Sequence, residues 1–372
     1  MKFKIKKNDV LDVLSKVQGL TGRKSNLPIT SNVFLQTTNY GIVLRVTDLE
    51  TGFEGLYSGT VESEGSIVIN ARKFYEIIRE FPSDEIEVHE IENHWIKIAN
   101  NNVEYNIVGM NPDDFPESPH VDDIEFFEID SIEFKKMIDK MVIIMGASDE
   151  KRAHISGLYF EIIKQDDQNL VRMVSTDGNR LAKVDCIYGK DLTLPSGPGI
   201  LIPKKGLQEL VKFLDFEGVV QIGFKNNNFI IKKDSETIII RLLEGEFPEY
   251  HDIIKKSDVN DINMDRQLFL MMLKRMSILS SEDYKGVIFN FTDNNLIITT
   301  TNPNIGESKE EMQIEYQGQP IKVMFNPRYF IETLNVIEED KIRLNIIDEE
   351  KPCLIQGENN DRYLSVIMPM RI

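Results

Sequence analysis

Three stretches carry residue types that could do chemistry, and each breaks at the spacing that chemistry needs. Gly22-Arg23-Lys24-Ser25 looks like the end of a phosphate-binding loop, but Arg23 interrupts the required G-x-x-x-x-G-K-[ST] and Gly19 lies only three residues before Gly22. It reads as a basic loop after a helix. His89-Glu90 and His94 are one residue too far apart for H-E-x-x-H. Residues five apart diverge by ~140° on a helix and face opposite ways on a strand, so a zinc site is excluded. Asp113-Asp114 sit between Pro112 and Pro116, which marks a turn rather than a metal-binding pair. Only Cys186 and Cys353 are present, too far apart for a metal-ligand pair, and they argue against both a disulfide framework and a zinc cluster. The five histidines have no nucleophile beside them. No catalytic residue, metal or cofactor is expected.

The elements that would position other functions repeat three times. Phe74, Ile77, Ile78 and Phe81 fall at i, i+3, i+4 and i+7, one face of a helix. Leu207, Leu210, Val211 and Leu214 repeat that spacing, and Phe330, Leu334 and Ile337 fall at i, i+4 and i+7. Alternating residues follow each helix and predict strands over Glu85–Ile91, Val219–Phe224 and Lys341–Ile347. Their first inward residues, Ile86, Val220 and Ile342, lie 12, 13 and 12 residues after the first helical anchor. Thr47-Asp48-Leu49-Glu50, Thr176-Asp177-Gly178-Asn179 and Thr301-Asn302-Pro303-Asn304 precede the helices by 24, 27 and 25 residues. A longer amphipathic helix opens each unit, through Val10/Val13/Leu14/Val17, Phe134/Met137/Ile138/Met141 and Phe269/Met272/Leu273/Met276. Asp114-Phe115-Pro116-Glu117 and Glu246-Phe247-Pro248-Glu249 mark equivalent points near the ends of the first two units. The expected fold class is α+β, three repeats with two helices on antiparallel sheet in each, divided as 1–122, 123–250 and 251–372.

At 372 residues, with 41% apolar and 28% charged residues, the chain suits two or three globular domains. Its longest apolar run, Met141–Met145, is far short of the ~20 residues a spanning helix needs. Met1–Lys7 is lysine-rich with no apolar stretch after it, so no secretory signal is expected, and the chain reads as cytoplasmic. The net charge of −18 taken alone argues against a nucleic-acid partner. Its distribution argues the other way. The six helical segments with their flanks (6–24, 71–81, 131–152, 203–214, 264–285 and 326–337) hold 21 basic and 13 acidic residues. Those 98 residues carry +8, which leaves −26 on the other 274. Basic helices on an acidic body fit one face turned to a polyanion, and duplex DNA bears a phosphate charge every ~1.7 Å of axis. No base-stacking platform or zinc-finger spacing appears, so such contact would be independent of sequence. A repeat-built nuclease with carboxylate metal ligands and a protein-only scaffold are the other classes these residues admit.

The whole chain resembles the bacterial DNA polymerase III beta subunit family, the replicative sliding clamps. The resemblance rests on Met1-Lys2-Phe3, Leu27-Pro28-Ile29, Thr47-Asp48-Leu49-Glu50, Ala71-Arg72-Lys73-Phe74 and Asp114-Phe115-Pro116. It continues through Thr176-Asp177-Gly178-Asn179-Arg180-Leu181-Ala182, Pro203-Lys204-Lys205-Gly206, Gly245-Glu246-Phe247-Pro248-Glu249-Tyr250 and Met368-Pro369-Met370-Arg371-Ile372. It implies a non-catalytic processivity factor, a head-to-tail homodimeric ring of six domains with twelve helices lining the hole and six sheets outside. Double-stranded DNA would pass Lys24, Arg72, Lys136, Lys140, Arg152, Lys204 and Lys205. The replicative polymerase, clamp loader, repair polymerases, ligase and mismatch-repair factors would dock short linear motifs in one groove. That groove would comprise Ile155, Thr176, Gly178, Asn179, Arg180, Leu181, Pro248, Ile253, Val366, Met368, Pro369, Met370 and Arg371. Tyr105 and Ile107 of one subunit would meet Ile278 and Leu279 of the other. The chain departs from the family pattern at Asn179, often His, and at Asp252, often basic. Asp149 and Ala153 also stand where the family commonly shows polar or aromatic DNA contacts.

Overall fold

A computed structural model describes residues 1–21, 27–119, 123–146, 152–165, 168–188, 199–257, 261–281 and 285–371. The chain divides into two compact units, Met1–Ile138 with Ile202–Leu243, and Asp139–Asp191 with Pro198–Leu201 and Glu244–Ile372. Neither unit is a single repeat, because the second repeat contributes to both.

Seven helices are described: α1 (Lys7–Thr21), α2 (Ala71–Glu80), α3 (Ser131–Val142), α4 (Ala153–Ser156), α5 (Lys204–Leu210), α6 (Arg266–Met276) and α7 (Pro327–Val336). The expected anchors of α1, α2, α3, α6 and α7 are buried. Side-chain caps fix the starts of four of these helices, and at α3 Asp130 accepts from the Glu133 amide at 2.8 Å. Asn70 accepts from the Lys73 amide at 3.0 Å, Asp265 from Leu268 at 2.7 Å and Asn326 from Arg328 at 3.0 Å. The second of the shorter helices departs from the expected face. After α5 the chain tightens into a 3-10 turn, Val211–Phe213, which leaves Val211 half-buried and buries Phe213 instead. At three residues per turn Phe213 eclipses Leu210, which is buried, and so shares its buried side. Phe213 then stacks on Phe53 at 5.0 Å. No described helix is long and apolar enough to cross a membrane.

The strand pairing among the described residues is antiparallel. The first unit holds a five-stranded sheet in the order Gly59–Ser63, Lys2–Lys6, Glu85–Glu90, Trp95–Ala99, Glu104–Val108. Its eight-stranded sheet joins four strands of the second repeat to four of the first, where Glu236–Arg241 pairs with Thr51–Tyr57. The second unit repeats the device, pairing Arg180–Tyr188 with Tyr363–Ile367 in another eight-stranded sheet. Its last sheet has four strands, Gly306–Gln313, Asn295–Asn302, Val287–Thr292 and Ile321–Phe325. Ile86, Val220 and Ile342 are buried, as the alternation predicts. In the first unit α1 packs on α2 and on α5, and in the second α6 packs on α7. α5 lies so close to Glu236–Arg241 that a Cβ at Gly206 would stand 2.4 Å from Ile240 Cγ2, which requires glycine there.

Candidate functional site

The Thr176–Arg180 segment is a tight turn between two strands of the second unit. Thr176 Oγ1 donates to the Arg180 carbonyl at 2.6 Å and accepts from the Gly178 amide at 3.1 Å. Asp177 Oδ1 accepts from the Asn179 and Arg180 amides at 2.9 and 3.1 Å. These bonds hold residue 178 at φ 89°, a left-handed conformation for which glycine is suited. A Cβ on Gly178 would lie 3.8 Å from Ile155 Cδ1, so the turn and Ile155 are neighbours.

Arg180 braces this turn from beneath. Its Nε donates to Asp177 Oδ2 at 2.9 Å, and its Nη2 reaches both the Ile143 carbonyl at 3.0 Å and Glu332 Oε2 at 2.6 Å. Its guanidinium also lies 4.6 Å from the Tyr329 ring centre. Burial would push the Glu332 carboxyl up, but Arg328 and Arg180 hold it below its ordinary value. Arg180 is buried and engaged through Nε and Nη2, while its buried Nη1 has no hydrogen-bond partner among the described residues, so its place is as a brace and not as an exposed hook.

The apolar part of the groove gathers around Leu181 and Val366, which are opposite each other in the sheet. Val174, Tyr250, Leu354 and Leu364 complete the buried cluster, with Tyr159, Phe247 and Ile254 packed against it. Sequence reasoning selected Pro248 and Ile253 from this segment, and the structure leaves both exposed. Phe247, Tyr250 and Ile254 are the side chains that meet the cluster. The motif Phe247-Pro248-Glu249-Tyr250 held the signal, since its aromatics carry far more apolar area than its proline. Thr176 and Ile155 are buried, whereas Asn179, Met368, Met370 and Arg371 are exposed and Pro369 is half-buried. Backbone bonds from Met368 N to Asn179 O (3.0 Å) and Met370 N to Met324 O (2.8 Å) seat the C-terminal segment beside the turn. The two methionines thus present flexible, polarisable surface next to a rigid turn, which suits variable apolar ligands.

Under this cluster lies a buried polar network. The Tyr250 hydroxyl donates to Glu161, and Arg172 forms a two-pronged pair with Asp185 at 2.6 and 2.9 Å. Lys183 Nζ reaches Asp185 Oδ2 at 2.5 Å. Burial pushes the Glu161 carboxyl above its ordinary value, outweighing the Tyr250 bond and the Arg172 charge.

The basic candidates separate into two groups. Arg72 is 79% exposed on α2, tied only to Glu76 one turn on at 3.1 Å. Lys136 and Arg152 are exposed, and Lys204 is half-buried. Lys205, 18% exposed, points at acids: Asp48 Oδ2 at 2.5 Å and Glu50 Oε2 at 3.0 Å. Burial pulls its ammonium down, but those two hydrogen bonds prevail and raise it above its ordinary value. Lys140 lies 3.8 Å from Glu338 and 5.7 Å from the Tyr363 ring centre. Both lysines were expected to face phosphate, and both are drawn inward because a long stem can bury its methylenes while its head finds a carboxylate. Lys24 and Asp149 lie outside the described residues.

Tyr105 and Ile107 share one face of Glu104–Val108, opposite Ile98 and Ile96, and that strand is the open edge of its sheet. Tyr105 is 38% exposed. Ile278 and Leu279 lie in a 3-10 turn, Ser277–Leu279, that continues α6 and packs on the open edge strand Gly306–Gln313. Ile278 is 74% exposed, a large apolar side chain without cover in the chain alone. Among the described residues no group of three or more His, Cys, Asp or Glu is placed to hold a metal.

Comparison with known proteins agrees along the full length. Three family models match in order: the N-terminal domain of the DNA polymerase III beta subunit over residues 1–119, the central domain over 128–249 and the C-terminal domain over 252–371. The chain is similar to the beta sliding clamp of Vibrio cholerae, 29% identical with all of both chains covered. It is 28% identical to that of Pseudomonas putida, again over all of both chains. The solved DNA polymerase III subunit beta of Pseudomonas aeruginosa superposes with a TM-score of 0.91 at 28% identity, covering both chains fully. The sliding clamp of Bartonella birtlesii bound to griselimycin superposes at 0.92 with 27% identity and the same coverage. Its three repeats, its shared sheets and these matches together mean that the chain belongs to the DNA polymerase III beta subunit family, the sliding clamps.

Proposed function

We infer that the chain is a DNA polymerase processivity factor without catalytic activity, and that it works as a head-to-tail homodimeric ring around duplex DNA. The observation that carries the ring is the strand count. Among the described residues each chain holds two eight-stranded sheets, and two incomplete ones of five and four strands. In both complete sheets the last strand of one repeat lies beside the fourth strand of the repeat before it: Glu236–Arg241 on Thr51–Tyr57, and Tyr363–Ile367 on Arg180–Tyr188. By the same rule Glu104–Val108 of one subunit would pair with Gly306–Gln313 of the other. Two such joins would close the ring and give the six sheets expected of it. They would also cover two open sheet edges, which otherwise invite uncontrolled pairing.

The helices would line the hole, with Arg72, Lys136, Arg152, Lys204 and Lys24 contacting phosphate and Lys140 and Lys205 contributing field rather than contact. A ring holds DNA by enclosure, so weak, sequence-independent contacts suffice and sliding stays easy. The domain limits 1–122, 123–250 and 251–372 belong to the same reading, as does action in the cytoplasm at the nucleoid. Polymerase, clamp loader and repair proteins would compete for the groove, docking extended segments that carry a Gln and a Leu–Phe-type end. The apolar anchors would fill the space over Leu181 and Val366 beside Met368, while Asn179 and backbone groups hold the polar end.

The deciding experiment is retention on DNA after loading. The ring should stay on closed circular DNA and run off the same DNA once it is linearised. Equal retention on both would refute encirclement. Deleting Met368–Ile372 should abolish binding of a Gln/Leu–Phe peptide, read by fluorescence anisotropy, and leave the dimer intact. Near-original affinity after the deletion would place the groove elsewhere.

A further inference from the structure

The turn that builds the C-terminal groove is present a second time, in the first unit. Thr47 Oγ1 donates to the Thr51 carbonyl at 3.2 Å and accepts from the Leu49 amide at 2.9 Å. Asp48 Oδ1 accepts from the Glu50 and Thr51 amides at 3.0 and 2.7 Å. These are the bonds of Thr176–Arg180, residue for residue. The strand junction is copied as well. Gly52 pairs with Ile239 as Leu181 pairs with Val366. Arg241 N donates to Glu50 O at 2.8 Å as Met368 N donates to Asn179 O at 3.0 Å. A cation neutralises the turn aspartate in both places, half-buried Lys205 on Asp48 and buried Arg180 on Asp177. Phe115-Pro116 stands where the other copy has Phe247-Pro248.

Beside this second turn is a cavity of about 360 Å³, walled by Val46, Leu49, Phe53, Phe115, Pro116 and Ile239. That volume lies within the ~300–1,000 Å³ range of ligand pockets. Leu49 takes the place of Gly178 and is held at φ 75°, a left-handed conformation that leucine rarely adopts. Its side chain is 48% exposed at the mouth. A strained residue held open on a pocket is a recurrent feature of ligand clamps.

The copy differs in charge. Glu50, Glu54 and Glu117 line it with a single cation, Arg241. Arg45 holds Glu54 at 2.6 Å and Lys205 holds Glu50. Glu117 is exposed and has no ion pair among the described residues. The lining therefore offers apolar walls with a free carboxylate at the rim, complementary to an apolar side chain next to a lysine or arginine.

We propose that this cavity is a second peptide-docking site, which takes an extended segment whose apolar side chain enters between Leu49 and Phe115 while an adjacent basic residue meets Glu117. The class of ligand rests on the peptide reading of the C-terminal groove; the existence of the copied site does not. The selectivity differs from the groove's, so a ring would carry two kinds of docking point per subunit and could hold two partners at once.

The test uses the full chain and three fluorescein-labelled peptides of equal length, read by anisotropy. One carries a Gln and a Leu–Phe end. The second has Leu–Phe flanked on both sides by lysine. The third keeps those lysines but has serine for Leu–Phe, and measures bare attraction to an acidic chain. The lysine-flanked peptide should bind equally well after deletion of Met368–Ile372. Glu117→Lys and Leu49→Gly should each weaken it at least about tenfold, and the serine peptide should bind at least about tenfold more weakly. Leu49→Gly should not lower the melting temperature, since glycine accepts the turn's backbone. The proposal is overturned if the lysine-flanked peptide fails to bind the truncated chain, if Leu49→Gly leaves its affinity unchanged, or if the serine peptide binds as well. None of those results touches the C-terminal groove, whose own failure would show as the Gln peptide surviving the truncation.

Discussion

Replacing Ile278 by alanine separates the interface from the fold. The side chain is 74% exposed in the single chain, so the substitution removes little packing there. Surface changes of this kind shift stability by less than ~0.5 kcal/mol. In a closed ring the same side chain would be covered. Ile→Ala deletes three carbon atoms at ~0.8 kcal/mol each when buried. Scaling by the exposed three-quarters gives about 1.8 kcal/mol per interface. A two-subunit ring has two such interfaces, hence about 3.6 kcal/mol, and at ~1.4 kcal/mol per decade the dimer should weaken by about 400-fold. Sedimentation equilibrium over a wide concentration range reads that constant directly. Thermal melting of the monomer at high dilution reads the fold. Leu273→Ala provides the contrast, since Leu273 is fully buried in α6, the helix just before the turn that carries Ile278, and its loss should cost ~2–5 kcal/mol of folding stability. The reasoning fails if the dimer constant of Ile278→Ala moves by less than about threefold, or if its monomer melts as early as Leu273→Ala.

Lys205→Ala should cost about 2–3 kcal/mol of stability by stranding the buried Asp48 carboxylate, whereas Arg72→Ala should leave the melting temperature unchanged and lower the salt slope of DNA binding by at most about one unit; calorimetry and salt titration check the pair. Glu161 has its folded value raised above its ordinary 4.5, so its contribution is fully present below that value and is lost as pH climbs through the raised one. Glu161→Gln should therefore flatten the fall of stability with rising pH over that window, measured by urea melts in a buffer series. Burial pushes the Cys353 thiol far up, so a thiol-reactive dye should leave Cys353 unlabelled in the native chain and label it promptly in denaturant.

The local pattern already held a good part of this molecule. Apolar spacing placed the anchors of α2, α6 and α7 on their buried faces, and alternation placed Ile86, Val220 and Ile342 inward. Those readings succeed because one face of a helix or strand must meet a core, whatever core it is. The turn motif was legible for a similar reason, since Thr and Asp side chains bond amides only two or three residues away. What no local pattern contains is which strands pair across repeats. The joins Glu236–Arg241 on Thr51–Tyr57 and Arg180–Tyr188 on Tyr363–Ile367 bring together residues more than 170 positions apart. Those joins set Tyr250 and Phe247 against Leu181 and Val366, and they copy the same turn and junction beside a cavity in the first unit. Long flexible side chains were the other blind spot. Lys205 and Lys140 count as positive in any sequence tally, yet Asp48, Glu50 and Glu338 claim them once the chain is folded. A charge in sequence is a property of one residue, whereas the direction it faces is decided by which carboxylate the fold brings within reach.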